Sequence, residues 1–224
     1  MTPTSQSTQS AQANMIHDAY KIAHHDHDFL GHEDMRGVRL MLEYQKAESA
    51  IKAMHIETTV VVFGSARVLS PEQSEMALMD AKTSEEKTLA VLRAKQVPWY
   101  EMSRDFGKIV SLHGGALKSE PGAALQNVIA TGGGPGLMEA ANRGAHDVGA
   151  LSIGYNITLK HEQQPNPYST PELTFLFKFF GIRKMHMAMR MSSPGALMSG
   201  GLAVMPGGAG TFDELFDNNN MTIH

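Results

Sequence analysis

The chain has 224 residues, no cysteine, and a net charge of −4 from 19 basic and 23 acidic side chains. That balance argues against a general nucleic-acid binder, which presents a basic face. The missing cysteine removes disulfide frameworks, thiolate metal sites and a cysteine nucleophile. A 42% hydrophobic content can build one sizeable core, and no apolar run approaches the ~18 residues of a membrane span.

Residues 1–14 are rich in Ser, Thr and Gln and too poor in apolar groups to offset the entropy of ordering. They also lack the basic and apolar regions of a secretory signal. In the stretch AHHDHDFLGHED, His24, His25, His27 and His32 stand among acidic residues without the fixed spacing of a metal site. Residues 1–33 therefore read as a disordered tail and a polar linker. From 34 to 54, Leu40, Tyr44, Ala47, Ile51 and Met54 recur at three- and four-residue spacing, which predicts an amphipathic helix and a helical extension over 34–57. Thr58 to Phe63 is a β-branched run stopped by Gly64, the pattern of a buried strand. A charged helix is predicted over 71–94, with Pro71 in its first turn, and another over 100–112.

Strands and helices then alternate: strand 127–131, helix 137–148, strand 151–155, a Pro/Asn-rich loop, strand 173–177, helix 179–191, strand 202–205, and a helix opening at Thr211. Apolar, non-alternating strands separated by helices specify an α/β fold, a Rossmann-like parallel sheet with helices on both faces. This domain is expected to occupy 58–224, preceded by the helical extension.

Of the 21 glycines, 18 lie between Gly107 and Gly210. Two clusters sit between a strand and a helix: Gly132-Gly133-Gly134-Pro135-Gly136, followed by Leu137 and Met138, and Pro206-Gly207-Gly208-Ala209-Gly210-Thr211. Such turns present unpaired N–H groups and partial positive charge to an anion, and glycine removes the Cβ that would keep it away. A third turn, Gly64-Ser65-Ala66-Arg67, adds a hydroxyl and a guanidinium. Neither a dinucleotide fingerprint nor a P-loop is present. Phosphorylated ligands of another kind are the expected occupants. Arg183, Met187 and Arg190 fall on one helical face with Lys184 beside it, the pattern of an anion clamp or of a solvated basic stripe. Thr211 and Glu214 also match a capping box, so the Glu214 carboxylate has a structural reading beside a chemical one. Asp213 suits the helix dipole.

Residues 206–214, PGGAGTFDE, resemble the P-G-G-x-G-T-x-x-E motif of the LOG (LONELY GUY) nucleoside 5′-monophosphate phosphoribohydrolases, a family once labelled lysine decarboxylases. Arg183-Lys184-x-x-Met187 is similar to its R-K-x-x-M element, GGGPGLMEAANRGA and VVFGSAR to two further segments, and NITLKHEQQPNPY to its substrate loop. The similarity spans roughly 58–217, with an N-terminal extension like that of longer bacterial members.

The resemblance implies hydrolysis of a purine nucleoside 5′-monophosphate, such as AMP or a cytokinin ribotide, to free base and ribose 5-phosphate. It implies Arg183 and Glu214 as catalytic residues. Binding would fall to Glu162, Lys184, Gly207, Gly208, Gly210, Thr211, Gly64, Ser65, Gly133, Gly134 and Met138. It further implies no metal and no other cofactor, a cytoplasmic homodimer or larger homo-oligomer, and no nucleic-acid or membrane partner. A nucleotide sensor or carrier with the same cradle but no turnover is the alternative. The chain departs from the family in two places. MSSPGALMSGGLAVM, after Arg190, is about one loop longer, which could shift Arg183 from Glu214 or give Arg190 part of its role. Family members also continue beyond the point corresponding to FDNNNMTIH, so the C-terminal part is expected to be missing and activity low.

Overall fold

The computed structural model describes residues 13–117, 120, 122–159, 164–191 and 200–213. It divides into two compact units, 1–42 and 43–224.

Within the first unit, the segment expected as a polar linker carries short turns. Three-residue 3-10 turns at Asp18–Tyr20, Ala23–His25 and Glu33–Met35 flank a helix, α1, at His27–Gly31. Local side chains cap two of the four: His17 Nδ1 accepts from the Ala19 N–H and Asp26 Oδ1 from the Phe29 N–H, which is N-capping. The Arg39 guanidinium donates to the Leu30 and His32 carbonyls at 2.7 and 2.5 Å. Among the described residues no group of three His, Asp or Glu side chains is placed to hold a metal ion.

The boundary between the units falls inside helix α2, Arg36–Ala53. The second unit is built on five parallel strands: β1 Thr59–Phe63, β2 Val128–Thr131, β3 Ser152–Ile157, β4 Thr174–Phe177 and β5 Gly201–Val204. Their order is β4-β3-β2-β1-β5. In register, Val61 lies opposite Ala130 on one side and Leu202 on the other. Successive connections step outward from β1 to β4, and the last returns to the far side of β1. The winding direction therefore reverses between β1 and β5.

The unit also carries helices α3 Pro71–Asp80, α4 Ser84–Ala94, α5 Val97–His113, α6 Leu137–Asp147 and α7 Phe180–Met191. Both faces of the sheet are covered, as a parallel sheet requires. Val61, Phe63, Ala130 and Tyr155 pack with Ala47 and Ile51 of α2 and Met187 of α7. The alternate residues Val62 and Ile129 pack with Ala141 and Ala145 of α6 and with Phe106 of α5. Helices α5 and α6 touch backbone to backbone: a Cβ on Gly107 would stand 2.2 Å from the Ala141 carbonyl oxygen, and one on Gly144 1.9 Å from that of Arg104. These two glycines exist for packing.

The single helix predicted over 71–94 is two helices. Ser70 with Gln73, and Thr83 with Glu86, each form a full capping box. The second box starts a new helix where the hydrophobic period shows no break. Other elements agree with the predicted ones to within a few residues. No described helix is long and apolar enough to cross a membrane.

Candidate functional site

The winding reversal leaves a crevice beyond the carboxyl ends of β1 and β5, the place where open α/β sheets bind ligands. A cavity of about 570 Å³ opens there. Three turns wall it. The β1 turn contributes Phe63, Gly64, Ser65, Ala66 and Arg67; the turn after β2 contributes Gly132, Gly134 and Met138; the turn after β5 contributes Gly208, Ala209, Gly210 and Thr211. Asn156, Ile157 and Leu159, from the end of β3, and Arg183 from α7 close the remaining side.

The turns are fastened to one another by backbone bonds. Ser65 N–H donates to the Pro206 carbonyl at 3.0 Å, Leu137 N–H to the Ser65 carbonyl at 3.0 Å, and Met205 N–H to the Phe63 carbonyl at 2.8 Å. Their glycines have unequal reasons to be glycine. A Cβ on Gly64 would meet Leu137 Cβ at 2.8 Å, and one on Gly136, at φ 74°, the Ser65 carbonyl at 2.3 Å. A Cβ on Gly133, at φ 71°, would strike the Asn156 amide at 2.5 Å, and one on Gly207 the Thr211 hydroxyl at 2.1 Å. Gly208 and Gly210 differ: among the described residues nothing lies within 4 Å of the place a Cβ would take, and both line the cavity. Residues 209–213 are helical, so the N–H groups of Ala209 and Gly210 belong to a first turn, which has no internal acceptors for them.

Arg183 is only 6% exposed. Its Nη1 donates to the Tyr155 carbonyl at 3.4 Å, and its guanidinium lies 5.4 Å from the centre of the Phe180 ring, a cation–π contact. A guanidinium held along two directions has little rotamer freedom left to lose on binding a ligand. Arg67 is the other cationic side chain among the described lining residues, none of which is acidic. The two guanidiniums and the first-turn N–H groups are donors that suit an anion.

Of the residues named from sequence, Gly64, Ser65, Gly134, Met138, Arg183, Gly208, Gly210 and Thr211 line the cavity. Gly133, Gly207 and Lys184 are not among its lining residues. Lys184 Nζ pairs with Asp213 at 2.7 Å, tying α7 to the turn that starts at Gly208. Asp213, near the start of the helix as its dipole reading expects, also pairs with this lysine. Glu162, Glu214 and residues 192–199 of the longer segment expected after Arg190 lie outside the described residues.

The expectation of two arginines clamping one anion needs correction. Arg190 is 8% exposed, but its Nη2 meets Glu48 at 2.6 Å and its Nη1 donates to the Ile56 carbonyl at 3.2 Å. The neighbouring acid, missing from the local sequence, comes from α2. His186 lies in the same buried cluster, with Nδ1 3.4 Å from the Tyr155 hydroxyl and Nε2 3.4 Å from Glu48. Burial pushes the His186 pKa down to about 4 and raises that of the Tyr155 phenol. Arg190 and Lys52 outweigh desolvation at Glu48 and hold its carboxyl below the usual range.

Sequence reasoning missed the polar network behind the first glycine turn. Thr131 Oγ1 donates to Asn142 Oδ1 at 2.6 Å and accepts from the Gly133 N–H at 3.0 Å. Asn166 joins this network from the loop after β3. The only local signal was the Asn-Pro dipeptide at 166–167, a turn-forming pair.

A family model described as "Possible lysine decarboxylase" matches residues 138–222. This is the LOG-type family, and the chain is similar to it over that stretch. The stretch includes α7 with Arg183 and the glycine turn at 206–210; it leaves out β1 and the Gly64-Ser65 turn. No curated protein matches the chain.

Proposed function

We propose that the chain is a phosphoribohydrolase of the LOG type, which hydrolyses the N-glycosidic bond of a purine nucleoside 5′-monophosphate such as AMP. The observation that carries this reading is the cavity at the winding reversal, with two open glycines at a helix start facing a buried, pre-oriented arginine. The match to the LOG-type family over 138–222 supports it. Water adds to C1′ as the C1′–N bond breaks, the bonding electrons leave with the base, and the base takes a proton, giving free base and ribose 5-phosphate. The phosphate sits against the N–H groups of the 208–210 turn. Arg183 holds the phosphate or polarises the leaving base. The ribosyl group gains oxocarbenium character, and the Glu214 carboxylate is the group assigned to stabilise it.

The family's description points to decarboxylation of lysine, which uses a Schiff base between an enzyme lysine and pyridoxal phosphate. The described residues do not fit that group. Among the described residues no lysine lines the cavity, and the Lys184 ammonium pairs with Asp213.

The test is chromatography of AMP incubated with the chain and with Glu214→Gln. Adenine and ribose 5-phosphate from the native chain, and neither from a Glu214→Gln variant that still binds AMP, is the expected result. Binding without turnover in both would leave a nucleotide sensor or carrier. We further propose a cytoplasmic homo-oligomer, checked by sedimentation.

A further inference from the structure

Asn166 is 6% exposed, sits in an irregular loop, and every polar atom of its amide is engaged. Its Oδ1 accepts from the N–H groups of Tyr168 and Ser169 at 3.1 and 3.2 Å, which folds its own loop into an Asx turn. Its Nδ2 donates to the Gly134 carbonyl at 3.3 Å and to Asn142 Oδ1 at 3.1 Å. Its backbone N–H donates to the Gly133 carbonyl at 2.9 Å. The oxygen meets two N–H donors and the nitrogen two acceptors, so the amide has one orientation that satisfies it.

Two consecutive carbonyls of the first glycine turn are thereby drawn to one side. In a trans peptide the C=O and N–H of the same unit point in opposite directions. Drawing the Gly133 carbonyl toward Asn166 turns the Gly134 N–H away from it. Gly134 lines the cavity and Asn166 does not. The Gly133 N–H is already engaged by Thr131, and Pro135 has no N–H, so Gly134 is the donor this part of the turn has to offer.

We propose that Asn166 is a positioning residue: it fixes the peptide planes of the first glycine turn so that the Gly134 N–H faces the phosphate of the bound ligand. It does so without touching the ligand. The inference rests on reading the cavity as a phosphate cradle and is independent of whether the glycosidic bond is cut.

Asn166→Asp separates the two halves of the role. An aspartate keeps the acceptor for Tyr168 and Ser169 but presents an oxygen to the Gly134 carbonyl and Asn142. The probe is ribose 5-phosphate, with adenosine as the ligand lacking phosphate. The dissociation constant for ribose 5-phosphate is expected to rise about tenfold, the cost of one charge-assisted hydrogen bond, with adenosine binding unchanged. In an amide NMR titration of the native chain, ribose 5-phosphate is expected to shift the Gly134 resonance.

Equal loss of both ligands, or no loss of either, overturns the proposal. An unmoved Gly134 resonance in the native chain also overturns it, and that measurement decides alone if the variant does not fold. A native chain that binds ribose 5-phosphate in this Asn166-dependent way but releases no adenine from AMP defeats hydrolysis and leaves Asn166 its role. Release of adenine with an indifferent Asn166→Asp does the reverse.

Discussion

Arg183 and Arg190 share one face of α7 but lie about 10 Å apart along its axis, the rise of seven helical residues. The first end reaches the cavity; the second is anchored to Glu48 and to the carbonyl of Ile56, just ahead of β1. Their substitutions should therefore fail in different assays. Arg183→Lys loses the planar group that meets the Tyr155 carbonyl and the Phe180 ring, so adenine release should fall about 100-fold or more, as when one oriented donor is removed from an active site, with little change in melting. Arg190→Met strands the Glu48 carboxylate and should cost about 3 kcal/mol in urea unfolding, the low end for a broken buried pair because Lys52 remains beside it. An unchanged urea midpoint would show the pair to be dispensable. Helical spacing showed that both arginines share a face. It did not show that Arg190 meets an acid, because Glu48 lies far upstream and reaches Arg190 only through tertiary packing.

Among the elements, the α5–α6 contact is the least forgiving. Gly144→Ala drives a methyl group into the Arg104 backbone, and the helices must separate; a loss of about 1–3 kcal/mol is expected by chemical denaturation. Gly181→Ala is the control. It too is a helical glycine, but among the described residues nothing stands within 4 Å of the added methyl, and improved helix propensity should leave stability equal or raised by up to about 1 kcal/mol. The strands and the later helices were legible because apolar runs and glycine punctuation mark them directly. The break between α3 and α4 was equally legible in principle, as Thr83-x-x-Glu86, but an uninterrupted charged pattern concealed it. The α5–α6 contact could not be read at all, since a glycine chosen for close approach looks the same in sequence as one chosen for a turn.

Over the second unit as a whole, acid should act first through the buried cluster beneath the cavity. His186 faces Glu48 and Tyr44 from α2, Tyr155 from β3 and Arg190 from its own helix. Its pKa of about 4 lies below the value near 6.5 of an unfolded histidine. Between those pH values the unfolded chain binds a proton that the folded chain does not. The stability from the neutral imidazole is complete above about pH 6.5 and is lost as pH falls toward 4, by at most about 3 kcal/mol. Glu72, drawn down to about 2 by Arg143, acts only at lower pH and is too exposed to weigh heavily. Melting temperature should therefore decline from pH 6.5 to 4 in the native chain and more gently in His186→Gln. Parallel slopes would remove His186 as the cause. None of this was visible in sequence, where His186 is one histidine in a methionine-rich helix.

The unequal reasons for the glycines have an evolutionary consequence. Gly64, Gly133, Gly136 and Gly207 are required by neighbouring atoms of the protein, so folding alone preserves them in any descendant, working or not. Gly208 and Gly210 have no such neighbours among the described residues and both line the cavity, so on the proposed reading it is the ligand that asks for glycine there. A lineage that gave up its ligand would therefore drift first at those two positions while most of the glycine-rich signature stayed intact. In sorting active from retired copies of this fold, side chains at 208 and 210 are the positions to inspect first.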